Sequence, residues 1–73
     1  MDSKDIKHII AKVISERRFD IGMEQEELSD YADISIATIS RLEHAKANVT
    51  IETLDSIMNI LGLEIDIRVK KTV

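Results

Sequence analysis

The stretch Gln25-Glu26-Glu27-Leu28-Ser29-Asp30-Tyr31-Ala32-Asp33-Ile34-Ser35-Ile36-Ala37-Thr38-Ile39-Ser40-Arg41-Leu42-Glu43 decides how this chain folds. Its first part, Gln25 to Ala32, brings Leu28, Tyr31 and Ala32 onto one helical face by three-and-four spacing, and these are expected to be buried. The helix breaks at Asp33-Ile34-Ser35, where Ser35 can accept from the free backbone N–H groups of a new helix and Ile34 can staple the turn to the core. From Ile36 to Glu43, Ile39 and Leu42 point inward, leaving Ile36, Ala37, Ser40 and Arg41 on the outer or flanking faces. A helix this short does not hold itself together in water. It is expected to be clamped by its neighbours so that its polar face meets a partner.

Upstream, Ile6, Ile9, Ile10, Val13 and Ile14 make an amphipathic stripe over a helix from about Lys4 to Phe19, capped by Asp2-Ser3. The other face carries Lys4, Lys7, His8, Lys12 and Arg17, readable as a solvated face or as a strip against DNA backbone. Gly22 is expected to end the helix in the left-handed conformation. Downstream, His44 to Val49 reads as a loop, Thr50 as a cap, and Ile51 to Leu61 as a last helix that buries Leu54, Ile57, Met58 and Leu61 and stops at Gly62.

The period then changes. Leu63, Ile65, Ile67 and Val69 alternate with Glu64, Asp66, Arg68 and Lys70, the pattern of a half-buried strand over 63–70. Nothing else in the chain alternates, so the strand is expected to pair with its copy across a two-fold axis, making Leu63, Ile65, Ile67 and Val69 the dimer interface. The other reading is an ordinary tail. The fold class expected is mainly α: a compact domain of four to five helices with one C-terminal β-strand that pairs across a dimer. All of residues 1–73 are read as a single domain, with the motif at 25–43.

Composition narrows the function. With 73 residues the chain makes only a marginal core, which favours oligomerisation. Apolar residues are 44% of the whole but aromatic ones 3%, so the core is aliphatic. Cysteine is absent, which removes disulfides, thiolate metal sites and thiol nucleophiles and fits a reducing interior. No apolar run reaches the ~20 residues of a membrane span, and the N-terminus lacks the apolar core of a secretion signal. These features suggest a cytoplasmic protein with no membrane partner. His8 and His44 have no second ligand at metal spacing, no serine sits in a nucleophile elbow, and two glycines make no phosphate loop. No catalytic site, metal or cofactor is therefore expected, and the chain is not expected to be an enzyme.

Net charge is −4, with acids crowded at Glu24, Glu26, Glu27, Asp30 and Asp33. Local charge decides phosphate contact, so the sum does not exclude DNA. Acids at the start of a helix complement its dipole, and the same run is also readable as a partner-binding patch.

Gln25-Glu26-Glu27-Leu28, followed by Ile39-Ser40-Arg41-Leu42-Glu43 after the step from Leu28 to Ile39, resembles the helix-turn-helix of the Cro/phage-repressor (XRE) family, of lambda-repressor-like fold. Gly22-Met23 before it is similar to the family's Gly-Leu approach, and Leu54, Ile57, Met58, Leu61 and Gly62 after it resemble the closing helix. Ile36-Ala37-Thr38-Ile39-Ser40 with a C-terminal strand looks most like HipB-type antitoxins. Departures are Glu24 in place of the usual Thr or Ser cap, Ala45 in place of a glycine, and Val49 in place of a proline.

The resemblance implies a sequence-specific repressor that binds a palindromic operator in double-stranded DNA as a homodimer, the autoregulating antitoxin of a HipBA-like toxin-antitoxin pair with a HipA-like kinase toxin as second partner. The alternatives are a free-standing or phage-type regulator, and an interaction module that has lost DNA binding. Carried onto this sequence, the base-reading positions are Ile36, Ala37, Ser40 and Arg41. Arg41 matches the guanine edge and the apolar pair can only press on thymine methyls. Gln25, Ser35, Thr38 and Lys46 fall where the family grips phosphates. Arg18 and Glu43 match a partly buried structural ion pair.

Overall fold

A computed structural model describes residues 3–71 of the chain. Four helices follow in order: α1 (Ser3–Asp20), α2 (Gln25–Ala32), α3 (Ile36–Glu43) and α4 (Ile51–Leu61). They wrap one aliphatic core of Ile14, Leu28, Ile39, Leu42, Ile57 and Leu61, to which every helix contributes. Ile14, Leu28, Ile39, Ile57 and Leu61 are fully buried. Each such side chain stabilises the fold by roughly 1.5–3 kcal/mol, so the short helices α2 and α3 are held by the core and not by their own propensity. The expected cap at Asp2 lies outside the described residues.

All four helices end in one way. After α1, Met23 N–H donates to Arg18 O and Gly22 N–H to Phe19 O; after α2, Ile34 donates to Ser29 and Asp33 to Asp30; after α3, Lys46 donates to Arg41 and Ala45 to Leu42; after α4, Leu63 donates to Met58 and Gly62 to Asn59. This paired closure is the Schellman motif, and it requires one residue in the left-handed region. Those residues are Gly22 (φ 70°), Asp33 (φ 55°), Ala45 (φ 60°) and Gly62 (φ 71°). The helix starts are secured differently. Ser35 Oγ accepts from Thr38 N–H and Thr50 Oγ1 from Thr53 N–H, both at 3.1 Å. Before α2, the Glu27 carboxylate reaches back to accept from Glu24 N–H at 3.0 Å.

Three expectations are corrected. No β-strand occurs among the described residues: 63–71 follow α4 as extended chain with no ladder. Alternation is a necessary mark of a strand, but a strand exists only where a neighbour takes its backbone hydrogen bonds. None lies beside this segment, so the strand at 63–70 and the pairing built on it are withdrawn. Leu63 does pack on the core, whereas Ile65, Ile67 and Val69 are not buried against the helices: they are 58%, 89% and 96% exposed. Second, Tyr31 is 67% exposed, not buried. Helix α2 has so few turns that Leu28, Ala32 and the Ile34 staple fill its inner side, and the Tyr31 ring stands outside them. Third, the α1 stripe divides: Ile10 and Ile14 face the core, while Ile6, Ile9 and Val13 are about half exposed.

Candidate nucleic-acid interface

Helix α3 is held rigidly at both ends. At its start, beyond the bond to Thr38 N–H, the Ser35 and Thr38 hydroxyls are bonded to each other at 2.8 Å. At its end, His44 Nδ1 lies 2.7 Å from Ser40 O; a carbonyl oxygen only accepts, so the ring donates, adding a second bond to a carbonyl that already accepts the His44 backbone N–H.

The main brace is Glu43, the last residue of α3. Arg18 Nε and Nη2 donate to its two carboxylate oxygens at 2.8 and 2.9 Å, a bidentate fork. Arg18 Nη1 donates to Met23 O at 2.7 Å, and Gln25 Nε2, at the start of α2, donates to Glu43 Oε1 at 3.2 Å. The Arg18 and Glu43 side chains are 16% and 5% exposed. The hydrogen bond to Glu43 raises the Arg18 pKa above the ordinary arginine value, outweighing the opposing effect of burial. One carboxylate thus ties the last turn of α1, the first residue of α2 and the last of α3, which fixes the angle between the two motif helices.

With α3 held in this way, its outer face is free. Ile36, Ala37 and Arg41 are exposed, and Ser40 is half-buried. Neither Arg41 nor Lys46 has a side-chain hydrogen bond or ion pair among the described residues. Arg41 therefore presents its whole guanidinium to solvent, with donors suited to the O6 and N7 of a guanine. Of the residues expected near phosphates, Ser35 and Lys46 are exposed and Gln25 and Thr38 half-buried. Gln25 spends one amide hydrogen on Glu43 and keeps the other. Ser35 and Thr38 already serve as the cap of α3, so between them one hydroxyl proton remains for an outside acceptor. Glu24, Glu26, Glu27, Asp30 and Asp33 are all exposed, which puts an acidic surface on α2 and its flanks.

The basic strip on α1 is less uniform than the sequence suggested. Arg17 Nε donates to Leu61 O at 2.8 Å, securing the end of α4. That contact spans 44 positions, and no one-dimensional pattern marks it. Among the described residues there is no cluster of His, Cys, Asp or Glu able to hold a metal. None of the described helices is long and apolar enough to cross a membrane.

Two short helices joined by a tight turn, the second braced from behind and open in front, define a helix-turn-helix domain, in which the second helix enters the major groove of DNA. Residues 14–67 match the helix-turn-helix family. The chain belongs to that family, as an XRE/Cro-type DNA-binding transcription regulator. Among solved structures it is similar to the restriction-modification controller protein C.Esp1396I in its wild-type form, with a TM-score of 0.73 and 31% identity over 80% of this chain and 76% of that one. A tyrosine-to-phenylalanine mutant of the same protein matches with the same score and identity, over 80% and 73%. A search of curated proteins found no match. The fold and these relatives place the chain among small regulatory proteins, a non-catalytic class.

Proposed function

We propose that this protein is a homodimeric repressor that reads a palindromic operator through α3 and regulates a small set of neighbouring genes. The observation that carries the reading is the unpaired Arg41 on the exposed face of a helix whose other sides are braced. In this reading Arg41 donates to a guanine, Ile36 and Ala37 press on thymine methyls, and Ser40 bonds a base edge or a phosphate. Gln25, Ser35, Thr38 and Lys46 contact phosphates and set the register. Two copies would place their α3 helices about one DNA turn, ~34–36 Å, apart.

Two biological settings fit. The likeness to a restriction-modification controller protein supports a regulator of that kind. The sequence of α3, Ile36-Ala37-Thr38-Ile39-Ser40, supports the antitoxin of a HipBA-like pair, with a HipA-like kinase as protein partner. The controller setting is the better supported, because the antitoxin resemblance also leaned on a C-terminal strand, which the described residues lack. A restriction-modification operon next to the gene would establish the first setting and a kinase-like toxin frame the second.

Selection of bound sequences from random duplex DNA tests the common core of both. The parent should enrich a palindrome, and Arg41→Ala should lose preference at one base position per half-site. Enrichment of no sequence by the parent would overturn the reading.

A further inference from the structure

Between α1, α4 and the loop that follows α3 lies a cavity of about 150 Å³. Ile10, Ala47, Val49 and Leu54 are among its apolar lining residues, and all four are half-buried and packed on the edge of the core. Lys7 is its only charged lining residue and Asn48 its only other polar one; no acid and no aromatic residue takes part. Lys7 is half-buried, yet its side chain has no hydrogen bond or ion pair among the described residues. Asn48 is exposed and marks the mouth.

We infer that this cavity binds a small aliphatic carboxylate, with the chain inside and the carboxylate on Lys7 and the Asn48 amide. Size sets the length of the chain. An apolar cavity of about 150 Å³ holds a molecule of about six carbons. The walls are methyl groups and branched aliphatic side chains, which favour buried methylenes and offer an aromatic ring nothing to stack on. Charge sets the head group. A lysine partly withdrawn from water without a counter-ion favours an anion, and one ammonium balances one carboxylate, whereas a phosphate dianion would leave a negative charge uncompensated. Asn48 adds two N–H donors and so can hold the second carboxylate oxygen. The lining loop carries Lys46, which puts the site one residue from a proposed phosphate contact. None of Ile36, Ala37, Ser40 and Arg41 lines it, so ligand and bases use different surfaces.

Isothermal titration calorimetry of the full chain without DNA tests it, with acetate, butanoate, pentanoate and hexanoate as probes. Lys7→Met keeps an apolar stem in the wall and removes the charge, and Lys12→Met is the control, an exposed lysine of the same helix outside the cavity. Affinity should rise about fourfold per added methylene from acetate to pentanoate and level off at hexanoate as the cavity fills. Lys7→Met should weaken pentanoate about fivefold and leave 1-pentanol binding unchanged, which also shows that the variant is folded. Lys12→Met should alter neither. Equal affinity for acetate and pentanoate would mean ion pairing at the surface only, and would overturn the inference. So would the absence of saturable binding of any of the acids at millimolar concentration, or a Lys7→Met variant that binds pentanoate as well as the parent. No DNA enters these titrations, so their failure leaves the operator reading standing, and a failed operator selection leaves the cavity result standing.

Discussion

Glu43 is the residue on which three helices converge, and its carboxylate receives three N–H groups from side chains of two other segments. With Glu43 only 5% exposed, removing its charge leaves the Arg18 guanidinium in a partly buried place without its counter-ion. Glu43→Gln should destabilise the fold by about 3 kcal/mol, read from the midpoint of a urea melt; a melt that overlays the parent's would show that the brace contributes nothing. Since the folded-state pKa of Arg18 is raised, its contribution is present below the unfolded-state value and is lost only as pH rises through the folded one. That window lies above the ordinary arginine range, so neutral and mildly alkaline conditions should leave the brace intact. Arg41 is the opposite kind of residue, exposed and unpaired, and its loss should cost binding but not stability: about 1–3 kcal/mol of operator affinity for Arg41→Ala, measured by fluorescence anisotropy, with an unchanged melt. Arg18 and Glu43 could be set side by side only through the family resemblance, since Arg18 lies on α1, outside the motif at 25–43. The sequence offered no such handle for Arg17, whose partner is a backbone carbonyl at the far end of the chain.

At the scale of the elements, the four helices and their approximate bounds were legible, because apolar spacing agreed with the caps at Ser35 and Thr50 and with the glycine stops at Gly22 and Gly62; the left-handed stops at Asp33 and Ala45 carried no glycine to mark them. The failures have a common physical origin. Periodicity says which residues share a face, and not whether anything stands opposite that face. Ile6, Ile9 and Val13 do share a side of α1, and Ile65, Ile67 and Val69 do alternate, yet neither set finds cover within its own chain. Among the helix ends, the one after α3 has Ala45 in the left-handed position that glycine occupies after α1 and α4. An L-residue with a Cβ pays about 1–2 kcal/mol there, offset in part by the greater unfolded-state freedom of glycine. Ala45→Gly should therefore raise stability by about 0.5–1 kcal/mol. Gly22→Ala is the converse case. An added Cβ there meets nothing within 4 Å, so only backbone strain acts, and a loss of about 1 kcal/mol is expected. Paired thermal melts read both; equal signs for the two substitutions would show that conformation at φ > 0 is not the controlling term.

For the whole molecule, a net charge of −4 must coexist with binding to a polyanion. The proposed contact surface resolves this locally: Arg41 on α3 and Lys46 just after it are exposed, and the five acids Glu24, Glu26, Glu27, Asp30 and Asp33 lie on α2 and its flanks. Affinity should fall with added salt, and Lys46→Ala should weaken binding about equally on every sequence while reducing the salt slope by about 1. Titrations at several salt concentrations would measure this; a Lys46→Ala loss confined to one operator would make Lys46 a reader of sequence instead of a phosphate contact.

The strained turn at Ala45 also has a genetic side. Every alanine codon is one base change from a glycine codon, so the relaxed turn is a single mutation away, and this chain does not carry it. Selection removes variants that fall below a working threshold and does not reward every available gain. The protein accordingly holds an unclaimed margin immediately after the helix proposed to read DNA, and a pool of single-base variants screened for heat survival should return Ala45→Gly among its first recoveries.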